Sequence, residues 1–220
     1  GVILKPEVKL NEGSVYDIDS LEPEESEVFN NEPRNASIVK TIKANRVEFN
    51  KIVIFVGTVT HAKDLYEVLV KNGLTELYDS VSYNVGGGNS RGQKDEEFFE
   101  EERSYKRSIV VSVDKLTEGY DDPLINTIIM ARPLKSKLMY MQAIGRAIRL
   151  SDDPSKTAYV VEIEDELPNI RHKIDNRWLF ADVSDVLEPA VEDVSYSVDI
   201  NKSLVSVYEK HQMPEARRKF

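Results

Sequence analysis

The chain has 220 residues, of which 40% are hydrophobic and 31% charged, with a net charge of −10 and no cysteine. That suffices for one domain of ordinary size with some excess, or two small ones, and excludes disulfides and thiolate metal sites. The negative balance argues against coating nucleic acid through bulk electrostatics, while leaving room for a local basic groove on an acidic body.

The opening "GVILKPEVKL" runs from apolar to basic without a methionine and reads as a piece of something longer. From Asn11 to Arg34 the chain is acidic and nearly aperiodic, with Pro23, Pro33 and the run "EPEESE", so residues 1–34 are expected to be a linker or surface excursion. "NASIVKTIKANRV" then sets Ile38, Val39 and Ile42 at helical spacing, with Asn35 or Ser37 as its cap. "KIVIFV" from Lys51 is a continuous β-branched run, the pattern of a strand buried on both faces. A helix follows in "THAKDLYEVLVKNG", with Thr60 as cap and Gly73 as stop. "SVSYNV", "SIVVSV", "NTIIMA" and "TAYVVEI" read as further strands. Helices are predicted in "RGQKDEEFFEEERSY", anchored by Phe98 and Phe99, and in "SKLMYMQAIGRAIRL".

Strands alternating with helices imply an α/β domain over residues 35–164, with a parallel sheet, right-handed crossovers and helices on both faces. Residues 165–220 are a C-terminal extension of weak pattern that carries the single tryptophan, Trp178. No apolar run approaches the ~20 residues a membrane span needs. With no signal or transit pattern either, a cytoplasmic place is expected, nucleoid-associated if the source is prokaryotic.

Ligands of such sheets sit beyond the carboxyl ends of the strands. After the first apolar run comes "GTVTHA", where Thr58, Thr60 and the helix-opening N–H groups suit a phosphate, or Thr60 merely caps the helix. "GGGNSRG" lacks the Gly-Lys-Ser/Thr ending of a Walker loop and reads as a phosphate cradle or a mobile turn. In "DKLTEGYDDP" a turn stops at Gly119, and Asp121 and Asp122 can accept ribose hydroxyls, hold a metal or cap the turn. His61, His172 and His211 lie far apart, so no histidine metal site is expected.

"YMQAIGRAIRL" is the most informative stretch. On a helix Gln142, Arg146 and Arg149 stand at i, i+4 and i+7, within about 60° of one another. Tyr140, Met141, Ile144 and Ile148 then face the sheet while the arginines point outward. Gly145 beside them lets another surface approach. Planar, always-charged guanidiniums suit phosphate oxygens, although a solvated basic face near a helix C-terminus has the same appearance.

Together these stretches resemble the second RecA-like domain of superfamily 2 helicases and translocases. "KIVIFVGTVTHAKDL" is similar to motif IV, "VVSVDKLTEGYDDP" to motif V and "QAIGRAIR" to motif VI, in the right order across Lys51 to Ile163. The stretch from Thr117 to Arg149 is similar to the DNA-directed branch of RadD-like proteins, repair helicases of the XPB type and restriction-enzyme motor subunits. It departs from the RNA-directed DEAD-box group, which has histidine at the place of Gln142.

The resemblance implies that Arg149 is the arginine finger reaching the γ-phosphate of ATP, that Arg146 helps neutralise the same phosphates and that Gln142 positions the attacking water. Gly119 would mark the motif V turn and Asp121 would bind the ribose. Thr58 would contact a nucleic-acid phosphate, with His61 nearby. Val113 replaces a threonine found in several relatives, which removes one contact to the strand. The implied partners are DNA, as duplex or duplex/single-strand junctions, and an upstream RecA-like domain of the same chain. That domain would hold most of the ATP and Mg²⁺, since no Walker A or Mg²⁺-binding D-E-x-[DH] box occurs here. The piece alone is expected to hydrolyse no ATP and to bind DNA weakly. A noncatalytic RecA-like binding module and an RNA helicase domain are the alternatives.

Overall fold

A computed structural model of the chain describes residues 7–15, 29–113, 120–132, 137–147, 149 and 155–166. Gly119, Ile148, Trp178 and residues 167–220 of the extension expected over 165–220 lie outside the described residues. In chain order the elements are β1 (Glu7–Val15), α1 (Glu32–Ala44), β2 (Lys51–Phe55), α2 (Val59–Lys71), a 3-10 turn (Leu74–Glu76), β3 (Ser80–Val85), β4 (Gly88–Asn89), α3 (Asp95–Ser104), β5 (Ser108–Ser112), β6 (Ile125–Met130), α4 (Lys137–Ile144) and β7 (Tyr159–Glu166).

They build a seven-stranded sheet in the order β1-β7-β6-β2-β5-β3-β4. Every pairing is parallel except the β3–β4 hairpin. Period-two alternation divides the strands between two cores. Ile52 and Ile54 of β2 join Ile38, Ile42, Leu65 and Leu69 of α1 and α2 on one face. Val53 and Phe55 join Phe98 of α3 and Tyr140 and Ile144 of α4 on the other. Each fully buried side chain of this size contributes roughly 1.5–3 kcal/mol, so both faces of β2 stabilise the domain. Continuous apolar runs in the sequence are the consequence.

Four local expectations are corrected. Glu7–Val15 is not linker but an edge strand in parallel register with β7, from Glu7 opposite Tyr159 to Glu12 opposite Glu164. Its glutamates, asparagine and glycine are residues that strands disfavour, which hid it. Helix α1 begins before Asn35, because the Asn31 side chain accepts from the Arg34 N–H at 3.0 Å. Pro33 sits in the first turn, where its missing N–H costs nothing. Helix α2 is capped by Thr58 rather than Thr60. Helix α4 ends at Ile144, so Arg146 and Arg149 do not extend its stripe.

Candidate functional site

The chemistry-bearing residues fall into two groups at opposite ends of the sheet. Thr58 follows the carboxyl end of β2, half-exposed, with its Oγ1 accepting from the His61 N–H at 3.1 Å. The first N–H groups of any helix have no intrahelical acceptor, so this end of α2 presents donors beside the threonine hydroxyl.

His61 is nearby, as the sequence suggested, but its side chain turns inward. Its ring is buried, with Nε2 3.1 Å from Asn35 Oδ1. Asn35 Nδ2 donates to Asn30 Oδ1 at 3.0 Å, and Asn30 Nδ2 donates to Asp64 Oδ2 at 2.6 Å. Asn35 therefore offers His61 an oxygen, which puts the proton on Nε2. Burial, and secondly the charge of Arg34, hold the His61 pKa down to about 3. His61 is a neutral tie between α1 and α2.

The second group lies at the amino ends of the strands, not at the carboxyl edge expected for Asp121 and Asp122. Lys51, the first residue of β2, donates from Nζ to Asp122 Oδ2 at 2.6 Å and to the carbonyls of Glu102 and Arg103 at 2.9 and 3.2 Å. Both charges of this pair are buried. Asp122 also accepts from the Leu124 N–H at 2.9 Å and from the Tyr120 hydroxyl at 3.2 Å. Of the three roles open to Asp122, it caps the turn. The ring of Tyr120 stacks on Phe99 of α3, centroids 4.7 Å apart. Burial and the neighbouring Asp122 push the Tyr120 phenol well above its ordinary value.

Asp121 points the other way, 67% exposed, and pairs with Arg149, 44% exposed. Arg146 contradicts the outward stripe: it is buried and donates from Nη1 to the Tyr120 carbonyl. Once α4 stops at Ile144, the turn at Gly145–Ala147 carries the arginine under the 120–122 segment instead of over it. Tyr140 and Ile144 face the core as expected, and Gln142 is exposed on the last turn of α4. Gly145 lies in this turn, where a side chain would crowd the backbone. A Cβ there would lie 2.9 Å from the Met141 carbonyl oxygen and 3.3 Å from that of Gln142.

Lys156 completes the group, donating from Nζ to the Pro123 carbonyl at 2.7 Å and to the Arg149 carbonyl at 2.8 Å. Burial first, and the neighbouring Arg149 charge as well, lower its pKa to about 8. Its stem lines a cavity of about 660 Å³ together with Val47, Asn50, Leu124, Asn126 and Tyr159.

"GGGNSRG" is a hairpin turn, with Val85 opposite Gly88 and Gly87 at φ 99°. Its Arg91 turns inward to the Ser80 hydroxyl at 2.7 Å and to the buried Glu102 carboxylate. Sequence reasoning missed Lys51, Tyr120 and Lys156. A charged residue opening an otherwise apolar strand was the available signal for Lys51. Among the described residues no group of three or more His, Asp or Glu side chains is placed to hold a metal. No described helix is long and apolar enough to cross a membrane.

Residues 34–151 match the model of the helicase conserved C-terminal domain. The chain is 32% identical over 118 residues to the type I restriction enzyme EcoKI endonuclease subunit of Escherichia coli K12, covering 50% of this chain and 10% of that one. It is 30% identical over 122 residues to MJ1505 of Methanocaldococcus jannaschii, named a candidate ATP-dependent RNA helicase, covering 53% of this chain and 15% of that one. The chain thus spans a small part of the length of these relatives. Its fold is similar to a fragment of a candidate HsdR subunit of a type I restriction enzyme from Vibrio vulnificus YJ016. That similarity has a TM-score of 0.57 at 16% identity and covers 83% of this chain and 34% of that one.

Proposed function

The chain belongs to the family of helicase conserved C-terminal domains, and from that membership we propose that it is the second motor domain of a longer ATP-dependent DNA helicase or translocase. The observation that carries this reading is the exposed pair of Asp121 and Arg149, a hydroxyl acceptor and a guanidinium side by side on one surface. ATP lies between this surface and another domain of the same chain. Asp121 accepts from the ribose hydroxyls, and Arg149 reaches the γ-phosphate. Arg146 adds its charge from behind the turn and, through the Tyr120 carbonyl, holds Asp121 in place. Gln142, exposed on the last turn of α4, orients the attacking water.

Phosphoryl transfer is mostly positioning and neutralisation of charge, and an arginine finger contributes roughly 10³–10⁵ in rate. Mg²⁺, held with ATP mainly by the other domain, would supply further neutralisation of the phosphate charge. With the finger on one domain and the phosphate cradle on another, ATP closes the gap and hydrolysis reopens it, a hinge motion usable as a motor stroke. Thr58 and the first amides of α2 grip a strand phosphate at the opposite end of the sheet.

DNA is favoured because the first relative is named as a restriction endonuclease subunit. The name of the second supports RNA as the competing substrate. Steady-state ATPase of the complete protein with duplex DNA, single-stranded DNA and RNA separates them. Stimulation by duplex or junction DNA is expected. Stimulation by RNA alone assigns the RNA reading, and no turnover with any of them assigns a noncatalytic binding module.

A further inference from the structure

We propose that Lys156 is a positioning residue for Arg149, a clamp that fixes the distance between the finger and the ribose-binding turn. This inference rests on the reading of Arg149 and Asp121 given above.

The turn from Tyr120 to Leu124 is held from three sides. Arg146 holds the Tyr120 carbonyl, Lys51 holds the Asp122 carboxylate and Lys156 holds the Pro123 carbonyl. Lys156 differs from the other two because its ammonium also holds the carbonyl of Arg149 itself. One side chain therefore ties the backbone of the finger to the backbone of the turn that carries Asp121.

The second direct link between these segments is the ion pair of Arg149 with Asp121. That link cannot persist during turnover, since ATP takes both partners. Once the ribose occupies Asp121 and the phosphates occupy Arg149, the two Lys156 hydrogen bonds remain to hold the finger against the turn. The clamp thus acts when the ion pair is gone, in the closed state in which transfer occurs. A lysine suits this place because its three donors can serve two carbonyls at once. Lys156 is itself half-buried, which narrows the positions open to the ammonium.

The test compares ATP turnover, KM for ATP, duplex-DNA Kd and melting temperature of the complete protein for wild type, Lys156→Met, Lys156→Arg and Arg149→Ala. A misplacement of about 1 Å can cost roughly 100-fold in rate, so Lys156→Met is expected to lower kcat by roughly ten- to a hundredfold. DNA Kd and melting temperature stay near wild type. Lys156→Arg, whose guanidinium also reaches two acceptors, recovers most of the loss. A Lys156→Met protein with wild-type kcat, while Arg149→Ala is inactive, overturns the clamp and leaves the finger standing. Loss of melting temperature and DNA binding in step with kcat also overturns it, since the lysine then only supports the fold. Full turnover in Arg149→Ala removes the reading on which the clamp depends.

Discussion

The guanidinium of Arg149 rests against the carboxylate of Asp121, 28 residues earlier in the chain, with both groups open to solvent. An exposed ion pair of this kind contributes only about 0–1 kcal/mol. It orders two groups without committing them, and under the proposed function ATP displaces it at little cost. Asp121→Asn is expected to leave stability within about 0.5 kcal/mol of wild type. If Asp121 holds the ribose as proposed, KM for ATP should rise severalfold, because the amide accepts less strongly from its hydroxyls. Denaturant unfolding and ATP-dependence of turnover measure the two effects separately.

The Lys51–Asp122 pair behaves oppositely. Both charges are buried, so removing one strands the other, at a cost of about 3–5 kcal/mol. Lys51→Met should lower the unfolding free energy by that amount. Lys106→Met, on an exposed side chain, should change it by less than about 0.5 kcal/mol. Equal effects of the two substitutions in urea titrations are incompatible with the buried pair.

His61 gives the domain an acid-sensitive joint. Its pKa falls from 6.5 to about 3 on folding. Between those values the unfolded chain binds the proton and the folded chain does not. The stability this represents is present above pH 6.5 and drains away as pH falls toward 3, by a few kcal/mol when complete. His61→Gln, whose amide can donate to Asn35 as Nε2 does, should flatten the fall relative to wild type. Parallel melting curves for the two proteins between pH 7 and 4 would contradict that assignment.

Gly145→Ala separates two ideas about the glycine. Helix propensity alone predicts a gain of about 1 kcal/mol. The 2.9 Å approach of the new Cβ to the Met141 carbonyl predicts a loss of roughly 1–3 kcal/mol instead. The sign of the change in thermal unfolding decides, and a loss is expected.

Much of the fold was legible because the parallel strands are buried on both faces and read as unbroken apolar runs. "KIVIFV" and "SIVVSV" needed little more than that. The edge strand Glu7–Val15 was not legible, since its partner in the sheet is β7, at the far end of the domain sequence. Helical spacing beyond Ile144 misled for a different reason. Periodicity continues through "GRAIR" although the α-helix does not: the N–H groups of Arg146 and Ala147 bond three residues back instead of four. The resemblance set Asp121 and Arg149 on the same nucleotide, but their direct pairing was not foreseen. Nor was the clamp at Lys156, because its partners are backbone carbonyls, which leave no mark in a sequence.

The finger role of Arg149 is tested most directly by nucleic-acid-stimulated ATPase of the complete protein with Arg149→Ala. A finger predicts a fall in kcat of roughly 10³–10⁵, with the domain still folded and still bound to the strand. Turnover that survives the substitution unchanged would contradict it, and would leave Arg149 as a basic side chain resting on a surface carboxylate.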